Sequence, residues 1–305
     1  MVPFFEEARY IEPCTRFGIK LLFRTECNKE YLLEFLNALL PMEQKINDIT
    51  YLNAAQLGDT ESERKSVFDV YCHCDDGSYV IVEMQRAAQA FFKDRCVYYS
   101  SFPIRQQGKK GLWDYRLSAV YTVGILDFKF DDDEEYYHHE VQLIDKNSGE
   151  VFYDKLTYVF LEMPKFKKTI GECTTTMDKW LFVLKNMARL LDRPIELQER
   201  IFERLFRTAE IAKMSRQQLY EYEESLKNYR DWRNVLDNAQ YEGHVLGLEQ
   251  GLKKGRAEGI EQGRSEGVNA EKRATAIRML SLGMDDETIS QISGLTAQEI
   301  KALRD

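Results

Sequence analysis

The spacing of apolar residues changes character several times along the chain. From Asn28-Lys29-Glu30 onward, Leu32, Leu33, Leu36, Leu39 and Leu40 recur at helical spacing, with Asn28 placed as an N-cap and Pro41 as a stop. Ile46 to Asn53 reads as a first strand. Val67 to Cys74 and Tyr79 to Gln85 are β-rich runs around Asp75-Asp76-Gly77-Ser78, a hairpin signal. Ala87 to about Gln107 returns to a helical pattern, interrupted or bent near Pro103. Tyr115 to Phe130 is a long run rich in β-branched and aromatic residues. An acidic loop, Asp131 to Glu135, separates it from two further strands, Tyr137 to Ile144 and Val151 to Met163, joined at Asn147-Ser148-Gly149. From Thr174 the pattern is helical, starting with Trp180-Leu181-Phe182-Val183-Leu184. The order of helix, three strands, helix and strands predicts an α/β domain, a mixed sheet with helices packed on it, ending near 165–175.

The last quarter breaks this alternation. Gly243, Gly247, Gly251, Gly255, Gly259, Gly263 and Gly267 fall at intervals of four among Glu, Lys, Arg and Gln. Charges and glycines together leave a strand little to pack. As a helix, the segment carries seven residues that cost about 1 kcal/mol each relative to Ala, roughly 7 kcal/mol in all. Two readings fit: a helix whose seam packs closely against a right-handed partner, or a charged flexible linker. Beyond it, Ala274 to Leu303 reads as short helices around Gly283 and Gly294, with Thr296-Ala297-Gln298-Glu299 a capping-box pattern. This is a small helix-turn-helix-like unit. Glu271 to Asp305 holds six acidic and five basic residues, a net of -1, so interaction or self-association is as good a reading as DNA recognition.

Composition narrows the classes. The 305 residues are 44% hydrophobic, enough for a buried core, and carry a net charge of -9. That balance argues against a protein that coats nucleic acid, and confines any DNA contact to a local surface. No apolar run is long enough to span a membrane, and the first residues lack a secretory pattern, so a cytoplasmic location is expected. The six cysteines show no disulfide framework and no CxxC pair. Cys72-His73-Cys74 alternates as a strand does, which makes the cysteines core residues and not metal ligands. No histidine sits in a nucleophile motif, and no phosphate-binding glycine loop is present, which excludes a nucleotide cofactor.

The candidate chemistry lies in the hairpin. A three-residue loop, Asp75-Asp76-Gly77, places position 74 opposite 78 and position 69 opposite 83, with Gly77 supplying the positive φ that such a loop needs. Asp69 and Glu83 then stand side by side, with Gln85 next along the same face. Two carboxylates in apolar strands repel unless a cation lies between them, and a hard divalent ion suits such oxygens. The plainer alternative is a polar hairpin face turned to solvent. Directly after this strand, Arg86 to Arg116 holds seven basic residues (Arg86, Lys93, Arg95, Arg105, Lys109, Lys110 and Arg116) against two acidic ones, a net of +5. Such a segment is either a local DNA-binding surface or a solvated basic helix face. Tyr98 and Tyr99 fit a helix core better than base stacking, and Glu34 fits a solvated helix face.

Asp, a hairpin, then an apolar strand ending in Glu-x-Gln resembles the PD-(D/E)XK nuclease core, in a variant where Gln replaces Lys. The stretches NKEYLLEFLNALL, SVFDVYCHCDDGSYVIVEMQ, YYSSFPIRQQGKKGLWDYRLSAVYTVGILDF, YYHHEVQLID, VFYDKLTYVFLEMPKF and MDKWLFVLKN resemble the Rpn family of recombination-promoting nucleases, also described as transposases. The resemblance covers nearly the whole chain. It implies a restriction-endonuclease-like α/β core followed by an α-helical C-terminal region. The divisions are 1–170 (nuclease domain), 171–240 (helical), 241–270 (glycine repeat) and 271–305 (helix-turn-helix-like). It implies a metal-dependent DNA endonuclease linked to recombination or mobile elements. Asp69 and Glu83 would hold Mg²⁺ or Mn²⁺, and Gln85 would complete the catalytic set. DNA would be the partner, bound by Arg86, Lys93, Arg95, Arg105, Lys109 and Lys110, and the C-terminal helices would form a homo-oligomer. Two departures stand out: Gln85 can only orient by hydrogen bonds where Lys would carry charge, and Phe68 replaces the usual Pro before the first Asp. A catalytically silent, DNA-binding or regulatory relative is the alternative, as is a scaffold that works through its tail.

Overall fold

The computed structural model describes residues 8–40, 45–53, 55–56, 66–88, 91–108, 111–130 and 135–304. The chain divides into two compact units, 1–232 and 233–305.

The first unit is built on a six-stranded sheet. Its strands are β1 (Ile49–Tyr51), β2 (Val70–Cys74), β3 (Tyr79–Gln85), β4 (Val120–Leu126), β5 (His138–Ile144) and β6 (Val151–Glu162), in the order β1-β2-β3-β4-β6-β5. β1, β2 and β3 pair antiparallel, β3-β4 and β4-β6 pair parallel, and β5 closes the edge antiparallel to β6. A parallel β3-β4 pair needs a crossover, and α3 (Phe92–Gln106) supplies it. The predicted mixed sheet with flanking helices is therefore what the chain forms.

Strand alternation sorts the side chains into two layers. On one face Val70, Cys72, Cys74, Val80, Val82, Val123, Ile125, Val159 and Leu161 meet α1 (Arg16–Phe23), α2 (Lys29–Leu39), α4 (Thr176–Asn186) and α5 (Arg200–Thr208). At its centre Trp180 is fully buried against Phe23, Phe35 and Phe202. On the other face α3 covers the sheet through two smaller clusters, Phe68, Tyr71, Ile81 and Phe102, and Phe92, Cys96, Leu126, Tyr158 and Phe160. Cys72 and Cys74 are core thiols, as the alternation required.

Three local expectations differ from what forms. α1 was not anticipated; Thr15 caps it through the Gly18 amide. α3 runs continuously through Pro103, and the Ser100 and Ser101 hydroxyls donate to the carbonyls of Val97 and Tyr98 in the turn before it. The β-rich run from Tyr115 contributes only Val120–Leu126 to the sheet, because Tyr115 sits at φ 58 and turns the chain. Residues 131–134 of the expected acidic loop, and Lys109 and Lys110, lie outside the described residues.

α6 spans Arg216–Ser281, and within the first unit its early turns dock on α1. The Glu12 amide donates to the Tyr222 hydroxyl at 3.0 Å, the Phe17 amide to Ser225 Oγ at 3.1 Å, and the Tyr229 hydroxyl to Asp127 at 3.3 Å. The glycine repeat lies inside this helix. Among the described residues, a Cβ added at any of the seven glycines would meet nothing within 4 Å. In the second unit the last turns of α6 pack with α7 (Asp286–Ser293) and α8 (Ala297–Lys301) around Ala276, Met279, Ile289, Leu295 and Ile300. The anticipated capping box forms at Thr296 and Glu299. Among the described residues no helix is long and apolar enough to cross a membrane.

Trp180 is the packing keystone of the larger core. Its Nε1 is buried with no hydrogen-bond partner among the described residues. Trp180→Ala is expected to lower unfolding free energy by about 3–5 kcal/mol in urea titration, as large aromatic truncations do. Trp180→Phe should lose much less, because it fills most of the space and removes the unmet donor.

Candidate active site

The β2-β3 register places the two carboxylates. Val70 faces Val82, Tyr71 faces Ile81 and Cys72 faces Val80, which carries Asp69 to the position opposite Glu83. The turn is the three-residue loop: the Cys74 amide donates to Ser78 O, the Gly77 amide donates to Cys74 O, and Gly77 has φ 87. Asp76 fixes the far side, accepting from the Ser78 amide and hydroxyl.

Asp69 stands at a bend just before β2, and each carboxylate accepts an amide from the other's strand. The Asp69 amide donates to Glu83 Oε1 at 3.3 Å, and the Met84 amide donates to Asp69 Oδ2 at 2.8 Å. The two side chains are thus tied to opposite backbones and held together. Burial raises the Asp69 carboxyl above its ordinary range, opposed by the Met84 amide and by the charges of Arg86, Arg16 and Arg24. Glu83 is pushed up to about 8, first by burial and then by the Asp69 charge, with Arg95 and the Asp69 amide pulling the other way.

Gln85 lies two residues beyond Glu83 on the same face and is nearly buried. Its amide nitrogen donates to Ala87 O at 2.9 Å, and its Oε1 accepts from the Arg95 guanidinium on α3. Both ends of the amide are used, so its orientation is fixed. Arg95 also lies against the rings of Phe92 and Tyr99. The position where the broader pattern has Lys therefore holds a neutral amide linked to a cation from the next helix.

A residue that sequence reasoning missed completes this row. Gly124 on β4 pairs with Glu83 on one side and with Phe160 on the other. A Cβ at Gly124 would sit 2.8 Å from Phe160 Cδ1. Its lack of a side chain leaves room for the Phe160 ring over the strand that pairs with Glu83.

The expected DNA-binding residues separate. Arg86 stacks on Tyr229 at 5.1 Å, beside Asp69. Arg95 is engaged with Gln85. Lys93 lies over Phe130 and lines a different cavity, of about 300 Å³, with Tyr158 and Phe160. Arg105 is exposed near the end of α3, and Lys109 and Lys110 are outside the described residues. Tyr99 packs on Phe68, while Tyr98 is 45% exposed; Glu34 is exposed, as expected. The cleft onto which Asp69 opens, about 730 Å³, is lined instead by Arg16 and Lys20 of α1, by Arg24 just after it, by Arg86, and by α6. The i, i+4, i+8 spacing of the first three cations was the available signal.

The donor set suits a hard divalent cation. Two adjacent carboxylates, both destabilised by burial and Glu83 also by the Asp69 charge, gain from a positive charge between them. Among the described residues no group of three or more His, Cys, Asp and Glu gathers, so such an ion would rest on Asp69 and Glu83, with water or phosphate oxygens completing its shell.

The αβα layering and the paired carboxylates at the β2-β3 fork define a PD-(D/E)XK-type architecture. Residues 13–239 match the family described as PD-(D/E)XK nuclease family transposase, and the chain belongs to that family. Residues 270–305 match the C-terminal HTH domain of the Rpn/YhgA-like nuclease family. No curated protein and no solved structure matches the chain.

The raised Glu83 carboxyl has a consequence for stability. Its folded value lies above the unfolded one, so the folded state binds the proton more tightly. Without a metal, stability therefore falls as pH rises from the usual carboxylate range through about 8. Glu83→Gln in EDTA should raise Tm at pH 8 relative to the unchanged protein, by about 2–4 °C for each kcal/mol relieved, and the gap should close near pH 4. Added Mg²⁺ should raise the Tm of the unchanged protein and leave the variant's unmoved.

Proposed function

We propose that the protein is a metal-dependent DNA endonuclease that hydrolyses phosphodiester bonds, acting in DNA recombination or on mobile elements. The observation that carries this reading is the β2-β3 register, which sets Asp69 against Glu83 with crossed amide bonds beside a cation-lined cleft. Membership of a nuclease family and a matching HTH domain support it.

Asp69 and Glu83 would hold Mg²⁺ or Mn²⁺, both ionised in the loaded state. A divalent ion there neutralises charge on the scissile phosphate and acidifies water at neutral pH. The protein's own contribution is positioning. The crossed amides keep both carboxylates in one geometry, and the hairpin beneath them is rigidly paired. Gln85, held at both ends, presents a fixed amide to the attacking water or the phosphate. Arg95, drawn in by Gln85, places positive charge behind the reacting centre, where a Lys side chain would otherwise bring it. In the reaction a water oxygen attacks phosphorus, the bond to the leaving oxygen breaks, and the proton lost by water balances the one gained by the leaving group.

The decisive experiment is nicking of supercoiled plasmid by purified protein with Mg²⁺ or Mn²⁺ against EDTA. Asp69→Asn and Glu83→Gln should abolish it. Arg95→Gln should lower kcat by about 10²-fold, the size seen when one preorganised electrostatic donor is removed. Metal-independent nicking, or equal nicking by the variants, would rule this site out. DNA binding without nicking would leave a regulatory relative that works through its tail and HTH unit.

We also propose that the Gly243–Gly267 seam joins copies of this chain and that the HTH unit contacts DNA. Seven glycines are unfavourable in a helix that nothing else approaches. Replacing Gly251, Gly255 and Gly259 with Ala separates the cases. If the seam is a packed interface, the oligomer seen by light scattering should dissociate. If the seam faces only solvent, the assembly state should stay unchanged and the helix should gain about 1 kcal/mol per site.

A further inference from the structure

We infer that the cleft between α1 and the first turns of α6 takes a single DNA strand, its phosphates carried along α1 and its second strand excluded by α6. The inference rests on the proposed role of Asp69 and names the form of DNA that reaches it.

The α1 wall is a ridge of charge. Arg16 and Lys20 are one turn apart on α1, Arg24 follows at its C-cap, and all three are exposed and line the cleft. Among the described residues none of them makes an ion pair, although Glu221 and Glu224 line the same cleft. Exposed cations in a row beside the proposed site have the character of a backbone track. Arg86 continues the row to the end of β3, next to Asp69. This is the side of the site away from α3, where the basic segment of the sequence had suggested that DNA would lie. On α3 the nearest cation, Arg95, is already bound to Gln85.

The α6 wall is different. Glu221 and Glu224 present carboxylates to the cleft, with Ser225 and Asn228 beyond them. α6 is fastened there by Tyr222, Ser225 and Tyr229. One phosphate backbone on the α1 ridge meets favourable charge along its length. The second backbone of a duplex seated in the cleft would face the carboxylates of α6, where like charges repel. Strand selection therefore arises from charge on two walls and needs no reading of bases. The substrates that satisfy both walls are single-stranded DNA, a gap, or a strand displaced from its partner.

The test uses the full-length protein, so that DNA binding by the C-terminal unit is common to every arm. Binding to a fluorescent single-stranded oligonucleotide and to the corresponding blunt duplex is measured by anisotropy in EDTA at several salt concentrations. The unchanged protein should favour the single strand. R16Q/K20Q should flatten the slope of log K against log salt for the single strand by about 1.4, or about 0.7 per lost phosphate contact. E221Q/E224Q should leave single-strand binding in place and raise duplex binding. In Mg²⁺, R16Q/K20Q should raise KM for single-strand cleavage more than it lowers kcat. An unchanged slope in R16Q/K20Q would overturn the inference, as would a duplex preference that E221Q/E224Q does not alter. If nicking is metal-dependent but the slope stays the same, the track is wrong and the nuclease reading stands. If the slope falls as expected while no metal supports nicking, the track stands and the nuclease reading fails.

Discussion

The site depends on one unfavourable interaction, the repulsion between Asp69 and Glu83 in a poorly solvated strand pair. Neither carboxylate would choose that position alone, since burial raises the affinity of both for a proton and the Asp69 charge raises that of Glu83 further. The fold compensates with backbone geometry. Each carboxylate is anchored by an amide of the opposite strand, and those bonds exist only in the register set by the three-residue turn at Gly77. A slip of one residue would send one carboxylate to the opposite face, into the layer formed by Val80 and Val82, where no partner for its charge exists.

The cations are distributed to suit this demand. Arg16, Arg24 and Arg86 act on Asp69 from the α1 side, and Arg95 acts on Glu83 from the α3 side. The two helical layers of the sandwich thus each contribute charge to one carboxylate, and the sheet carries the pair between them. Gly124 belongs to the same arrangement. The row Glu83, Gly124 and Phe160 crosses three adjacent strands, and only a residue without a Cβ lets the phenyl ring reach across it. Gln85 can be neutral here because charge comes from Arg95 through space and not from a side chain on the strand itself.

The hairpin was legible in the sequence because its signals are local. Asp75-Asp76-Gly77 specifies the turn, the turn specifies the register, and the register brings position 69 to position 83 without any knowledge of the remaining chain. The same locality made the Thr296 capping box and the core role of Cys72 and Cys74 readable. The parts that were missed depend on tertiary contact. Gly124 looks like any glycine until Phe160 is seen lying against it. α1 is only eight residues long, and its basic ridge acquires meaning when the chain places it across from α6. The basic segment after Glu83 divides in the fold for the same reason. A charge count along the chain cannot tell that Arg95 turns inward to Gln85 or that Lys93 lines a separate cavity.

The glycine repeat raises the opposite problem, because its pattern is plain in the sequence and no described residue packs against it. The segment is helical despite a composition that weakens helices, and its i, i+4 pairs, Lys254 with Glu258 and Gln262 with Glu266, return only about 0.2–0.5 kcal/mol each. Alanine at the same positions would stabilise the helix and meet no neighbour. A residue that is poorer for the helix and indifferent to its own chain is useful only where another backbone comes close. Four residues exceed one helical turn, so the glycines drift around the helix by about 40° at each step, and a straight partner would leave the seam within a few turns. A partner that stays with the seam has to coil around it, and a second copy of the same helix carries the same drift. This is the physical ground on which the repeat is proposed for assembly, separately from the candidate site that the hairpin builds.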